Sequence, residues 1–215
     1  MPALPETIPG LLAATATRAP GDIWIRTDEA TLTFGGAAGA VGRLARRLRE
    51  AGITRGDLVV MTARTTAPYL LGWLALSSLG AVTVPTDPAA TPAELAGLID
   101  QVRPRVLLSD AGLRGDDRPY LDIDELLGDW RVEEPGEVAL DVRPEDLAVL
   151  IPTSGTTGRS KLVMQTHRAY AWAGVGFPYW MELDRTDRLM TSLPLFHINA
   201  PAYSCLGSLA AGAGL

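Results

Sequence analysis

The chain has 215 residues, 47% of them hydrophobic, and this size and apolar content suit a folded globular protein rather than a disordered one. Its 25 acidic residues outnumber the 19 basic ones, giving a formal net charge of −6 that disfavours non-specific nucleic-acid binding. The single cysteine, Cys205, excludes an internal disulfide and a cysteine metal cluster, and we predict that it is a small buried core residue.

The start of the chain, MPALPETIPGLL, lacks a positive region followed by an apolar stretch. This pattern predicts no signal peptide and favours a cytoplasmic location. Two uncharged stretches, 65–86 and 189–215, are long enough to cross a bilayer. Prolines and glycines interrupt both stretches, so we predict buried core and no integral membrane span.

The first half of the chain alternates between helix-like and strand-like patterns. They predict a short helix over 9–18, strands over 22–26 and 31–34, a helix over 37–51, a strand over 58–62, a helix over 68–79, a strand over 81–84, a helix over 92–101 capped by Thr91, and a strand over 105–109. Such alternation is typical of parallel βαβ units, and we predict a layered αβα arrangement with mostly parallel sheets.

An acidic, proline-bearing segment over 110–145 follows, and we interpret it as a connector between two halves of the fold. The patterns around and beyond it predict a short helix over 123–127, strands over 147–152, 161–165 and 187–192, a helix over 168–181, and a last helix over 202–210 capped by Asn199. His167, at a helix start, is interpreted as structural. The last 27 residues are uncharged, and on this ground we expect the chain to be cut from a longer protein.

The stretch TSGTTGRSK, residues 153–161, directly follows the apolar run 147–151. Glycines in such a loop allow tight turns that bring backbone N–H groups close to an anion, while hydroxyls and a lysine add further donors. The residues that predict a polyphosphate site are Thr153, Ser154, Gly155, Thr156, Thr157, Gly158 and Lys161. It is not the common nucleotide P-loop, because two residues separate the lysine from the second glycine. Turn chemistry alone would explain the glycines and threonines but not the lysine.

The stretch PTSGTTGRSKLVMQTHRAY resembles the phosphate-binding signature of the adenylate-forming superfamily, which includes acyl-CoA synthetases, peptide-synthetase adenylation domains and luciferases. LGWLALSSLGAVTVPTDPAATPAEL (71–95) and LPLFHINA (193–200) are similar to two further motifs of that family, in the same order and spacing. The resemblance covers essentially the whole chain. It implies that residues 1–215 are the first part of the large N-terminal domain and that the C-terminal domain is absent.

The resemblance also implies a reaction in which a carboxylate attacks the α-phosphate of ATP to give an acyl adenylate. The residues named above would hold the pyrophosphate, with Lys161 and Thr156 in catalytic roles and Mg²⁺ bridging phosphate oxygens. No residue of the chain is assigned as a metal ligand. Ser160 and Leu162 stand where the family mostly has proline and glycine, which affects the geometry of the loop exit.

In similar enzymes the position of His197 lines the acid pocket, so the resemblance implies substrate binding by this residue; a purely structural histidine is the alternative. Amino-acid-activating relatives usually carry Phe-Asp at this motif, whereas this chain has Phe196-His197. We therefore expect a small carboxylic acid without an α-amino group, passed to coenzyme A. Two alternatives stay open, namely a truncated non-catalytic phosphate-binding or interaction protein and a ligase that loads a carrier-protein thiol.

Overall fold

The computed structural model describes residues 4–110, 120–132, 136–153 and 160–215. Its strands are β1 Ile23–Arg26, β2 Thr31–Thr33, β3 Leu58–Thr62, β4 Val82–Pro85, β5 Val106–Ser109, β6 Tyr120–Asp122, β7 Leu147–Thr153 and β8 Lys161–Thr166. Its α-helices are α1 Ile8–Arg18, α2 Phe34–Glu50, α3 Ala67–Leu79, α4 Pro92–Val102, α5 Ile123–Leu127, α6 His167–Met181 and α7 Leu206–Ala211. The predicted strand and helix order is confirmed over most of its length.

A six-stranded sheet in the order β6-β5-β3-β4-β7-β8 forms the centre of the molecule. Its first five strands run parallel, and β8 pairs antiparallel with β7 at the edge. The strands β3, β4 and β5 are almost entirely buried, as expected for parallel strands covered on both faces. The prediction of a mostly parallel sheet is therefore confirmed.

The two faces of the sheet are covered by different helices. Along β3, Val59 and Met61 pack into the larger apolar cluster, which includes α2 and α3, whereas Val60 packs into a smaller cluster with α4. This alternation follows from the period of two along a strand. The layered αβα arrangement predicted from the sequence is confirmed.

The first uncharged stretch is folded as core, as predicted, but the second is core only in part: residues 200–215 are mostly buried, whereas 189–199 are largely exposed, Met190 and Leu193 among them. Residues 65–86 form α3 and β4, whose residues are nearly all buried. In the described part of the chain, no helix is long and apolar enough to span a membrane. Cys205 is fully buried, and this burial raises the pKa of its thiol to about 12, which confirms its role as a core residue.

The acidic segment over 110–145 contains the predicted helix α5 and an unpredicted strand, β6, which extends the central sheet beyond β5. Its described residues 136–137 lie directly on α2. A Cβ atom added at Gly42 would fall 2.5 Å from the Glu137 carbonyl oxygen, and one added at Gly136 would fall 2.5 Å from that of Gly39. Only glycine permits this approach of the two backbones.

Two predictions near the end of the chain are wrong. Residues 187–192 form no strand, only an isolated bridge between Arg188 and Gly214, because backbone pairing with 213–215 ends at Leu189. Asn199 caps no helix, since its own backbone is already helical and its side chain makes no capping bond. A π-helical turn, Ala200–Cys205, precedes α7 instead.

Candidate functional site

The stretch 153–161 spans the turn of the hairpin between β7 and β8. Thr153 and Lys161 are direct partners in the antiparallel ladder, and the Thr153 hydroxyl donates a hydrogen bond of 3.3 Å to the Lys161 carbonyl oxygen. Both ends of the loop are therefore fixed in neighbouring strands. The predicted phosphate ligands between them, Ser154, Gly155, Thr156, Thr157 and Gly158, lie outside the described residues, so their roles stay predictions.

Lys161 is the only lysine among the 19 basic residues of the chain, a fact that our reading of the sequence missed. Its side chain is exposed at the start of β8. An ammonium group at the mouth of a glycine-rich and hydroxyl-rich turn suits a phosphate ligand, because it adds a mobile positive charge to the neutral donors.

The hairpin leaves the sheet at the edge where open α/β sheets bind ligands. Because β7 runs parallel to β4, Thr153 lies at the carboxyl end of its strand, on the same edge as Pro85. Ligands in such folds bind in the crevice outside the carboxyl ends of the strands. The position of the loop thus agrees with a binding role.

Helix α4 supports the far end of the loop. The Gln101 side-chain amide donates a hydrogen bond of 2.8 Å to the Ser160 carbonyl oxygen, and Leu162 packs against the apolar cluster that contains Leu98 and Val102 of α4. No periodicity or motif in the sequence indicated Gln101, because the two partners are 59 residues apart.

His197 lies in a turn close to the same edge of the sheet. Its backbone N–H donates to the Pro194 carbonyl oxygen at 3.1 Å, and its exposed ring lies 4.6 Å from the ring of Phe196, centroid to centroid. The Leu195 N–H donates to the Thr65 hydroxyl at 3.0 Å, which attaches this motif to the loop after β3.

A cavity of about 10 Å³ separates His197 from the carboxyl ends of β4 and β7. This volume admits about one water molecule and is too small for a carboxylic acid. The assignment of His197 to an acid pocket therefore stays a prediction, although the residue and the hairpin lie at one edge of the sheet.

His167 lies at the start of α6, directly after β8, and is fully buried. Burial lowers the pKa of its imidazole to about 4, Asp146 opposes this effect, and Arg55 adds to it. Neither ring nitrogen has a hydrogen-bond partner among the described residues. This environment agrees with the structural interpretation of His167 and favours a neutral imidazole near neutral pH.

The described residues provide no ligand set for Mg²⁺. No group of three or more His, Cys, Asp or Glu side chains that could hold a metal ion occurs among them.

Comparison with known proteins identifies the class to which the chain belongs. Residues 12–215 match the family model of the AMP-binding enzymes, so the chain belongs to this family of adenylate-forming ligases. The resemblance inferred from the motifs is confirmed at the level of the family.

Two curated relatives illustrate the match. The isonitrile lipopeptide synthase of Mycobacterium tuberculosis is 33% identical over 168 residues, which are 76% of this chain and 6% of that protein. The 2-succinylbenzoate–CoA ligase of Geobacillus kaustophilus is 32% identical over 203 residues, 90% of this chain and 40% of that protein. This chain thus spans less than half the length of either curated relative.

The N-terminal subdomain of Klebsiella oxytoca NpsA, solved in complex with 3-hydroxybenzoyl-AMSN, has the same fold, with a TM-score of 0.84 at 22% identity. The match covers 98% of this chain and 53% of that one. At this identity the likeness establishes the fold alone.

Proposed function

We propose that this chain supplies the phosphate-binding part of a ligase that activates a carboxylic acid as its acyl adenylate. The observation that supports the proposal is the β7–β8 hairpin, in which Thr153 and the only lysine of the chain, Lys161, pair at the carboxyl end of β7. They flank a sequence of hydroxyl and glycine residues, at the edge where open α/β sheets commonly bind ligands. Membership of the AMP-binding family supports ATP as the nucleotide.

In the proposed reaction the carboxylate oxygen attacks the α-phosphorus of ATP, the bond to the bridging oxygen breaks, and pyrophosphate leaves with the electron pair. Hydrogen-bond donors and a cation beside the departing phosphates stabilise the charge that develops there. Lys161 and Ser154 to Gly158 are the proposed donors, and Thr153 would join them only by giving up the hydrogen bond from its hydroxyl to the Lys161 carbonyl oxygen. Thr156 and Lys161 retain the proposed catalytic roles, and His197 the proposed contact with the acid.

We propose coenzyme A as the acceptor of the acyl group, with the reaction taking place in the cytoplasm. The similarity to a ligase named for CoA supports this acceptor. The residues Phe196 and His197 support a substrate without an ammonium group, because no acidic side chain occurs over 189–215. The similarity to a lipopeptide synthase favours a carrier-protein thiol as the second candidate acceptor.

The phosphate site is tested through its lysine. Because Lys161 is the only lysine, an amine-acetylating reagent can modify it and otherwise only the chain's α-amino group, and mass spectrometry separates the two. We expect MgATP or pyrophosphate to protect Lys161, and Lys161→Ala to weaken pyrophosphate binding roughly tenfold, as loss of a charge-assisted bond of about 1.5 kcal/mol requires.

Lys161→Arg is the matched control, since it keeps the charge, and we expect it to retain most of the affinity. Equal acetylation of Lys161 with and without nucleotide would refute a phosphate site here. In a longer protein that contains this chain, acid-dependent ATP–pyrophosphate exchange would separate a ligase from a non-catalytic binding protein. Trapping with coenzyme A or a phosphopantetheine thiol would then identify the acceptor.

A further inference from the structure

Among the described residues, one polar side chain from outside the hairpin holds the backbone next to Lys161. Gln101, in the last turn of α4, donates from its side-chain amide to the carbonyl oxygen of Ser160 at 2.8 Å. Both residues are half-buried, so water competes with this bond less than it would on an open surface. Ser160 directly precedes the lysine that the proposed function requires.

Two further contacts restrain the adjacent residues. The Lys161 carbonyl oxygen accepts from the Thr153 hydroxyl, and the Leu162 side chain packs on the α4 side of the sheet, in the cluster that contains Leu150. Three consecutive residues, 160 to 162, are thus each fixed by a different group. Of these three groups, Gln101 is the one that lies outside the hairpin, on α4, and also makes a hydrogen bond.

The restraint has a physical reason. Ordering one residue's backbone costs about 1–2 kcal/mol, and a site that is already ordered avoids this cost when the ligand binds. Serine leaves its φ angle free, so a bond to the Ser160 carbonyl supplies a restraint that the residue itself lacks. Leu162, whose side chain is anchored beside α4, limits movement on the other side of the lysine.

From these contacts we infer that Gln101 is a positioning residue, which holds the loop exit so that Lys161 meets the phosphates of the nucleotide. This inference rests on the proposed function, because it takes phosphate to be the ligand of Lys161. Gln101 itself touches no substrate in this scheme. Helix α4 therefore contributes to nucleotide affinity through the backbone of Ser160.

The test replaces Gln101 with methionine, which has nearly the same length and helix propensity but no donor. Loss of one hydrogen bond of about 1 kcal/mol predicts roughly fivefold faster amide hydrogen exchange over 160–163 and roughly fivefold weaker pyrophosphate binding in the 215-residue chain. Gly97→Ala, on the same helix with no atom within 4 Å of the added methyl group, is the matched control and should change neither quantity.

A second substitution separates positioning from general stability. Ser160→Pro keeps the carbonyl and fixes φ, so in the Gln101→Met background it should restore affinity without restoring the hydrogen bond. Unchanged exchange over 160–163 in Gln101→Met would overturn the inference, and so would faster exchange with unaltered pyrophosphate affinity or failure of proline to restore it. A wild-type chain that binds no pyrophosphate would instead overturn the proposed function itself, and with it the role inferred for Gln101.

Discussion

At the scale of single residues, the two histidines of the chain occupy opposite environments. His167 is fully buried at the start of α6, whereas His197 is exposed at the edge of the sheet. The sequence indicated both positions, one at a helix start and one in a motif, but it could not indicate their burial. Burial depends on tertiary packing, which also brings distant residues near His167: its backbone N–H donates to the Asp146 carbonyl oxygen, and the charges of Asp146 and Arg55 shift its pKa in opposite directions.

The depressed pKa of His167 predicts a loss of stability in mild acid. In the unfolded chain the His167 imidazole binds a proton near pH 6.5, but in the folded chain it does so only near pH 4. The free energy of unfolding therefore falls as the pH decreases through this window. Between pH 7.5 and 5.5 the expected loss from this group is roughly 1 kcal/mol. Urea unfolding at pH 7.5 and 5.5 measures this loss. Both pH values lie above the pI of about 4.9, where the solubility of the protein is lowest.

His167→Met should remove this part of the pH dependence, because methionine fills the site and neither ring nitrogen had a partner to lose. His197→Gln, at the exposed histidine, is the control substitution. An unaltered pH dependence in His167→Met would assign the effect to other groups. Asp146 is one such group, since hydrogen bonds from Arg143 and Arg55 hold its pKa low even though burial opposes them.

At the scale of elements, the helix starts show what could be predicted and what could not. Five helices, α1, α2, α3, α4 and α6, begin after a threonine whose side chain caps the helix. These threonines are, in the same order, Thr7, Thr33, Thr66, Thr91 and Thr166. Only Thr91 was predicted, because Glu94 completes a capping box that is visible in the sequence. Helix α2 begins at Phe34, three residues before the predicted start, since the glycines of its first turn disguised the beginning of the helix.

The contact between α2 and residues 136–137 gives a prediction at this scale. Gly42→Ala would place a methyl group 2.5 Å from the Glu137 carbonyl oxygen, and we expect a loss of about 1–3 kcal/mol in the free energy of unfolding. Gly97→Ala, in the open surface of α4, should instead stabilise the chain by about 0.5–1 kcal/mol. Denaturant unfolding of both variants measures the two effects.

The opposite signs make this comparison informative. A similar increase in the free energy of unfolding in both variants would mean that residues 136–137 move away easily and are not tightly packed against α2. The sequence predicted the helix and its apolar stripe, but not this contact. Glycine in a helix indicates close approach only after the approaching segment is known.

At the scale of the whole molecule, the layered fold and the order of its strands could be predicted because helix and strand patterns alternate strongly. The position of β6 could not be predicted, because an edge strand of three residues shows little periodicity in its sequence. The hairpin site was located by its residue types, whereas the support from α4 depends on a contact between elements that are far apart in the sequence. Patterns local to the chain thus identified the loop but not its surroundings.

The length of the chain relative to its relatives gives a prediction about its catalytic activity. The chain spans less than half the length of the two curated relatives described above, and its match covers only 53% of the NpsA subdomain chain. We expect the isolated chain to bind pyrophosphate but to catalyse no acid-dependent ATP–pyrophosphate exchange. Radiolabel exchange with a panel of carboxylic acids, with Lys161→Ala as the background, is the measurement. Exchange clearly above that background would show that the chain is catalytically sufficient.

The antiparallel return of β8 has a consequence for how the protein attracts a nucleotide. In loops that open directly into a helix, the helix dipole supplies a fixed positive potential at the anion. Here the loop returns into a strand, and α6 begins only after the six residues of β8, roughly 20 Å further along the chain. Under the proposed function, the attraction would come from full side-chain charges such as the exposed ammonium group of Lys161, whose field counterions screen over about 8–10 Å in ordinary salt. The ionic strength of the surroundings would then directly control nucleotide capture.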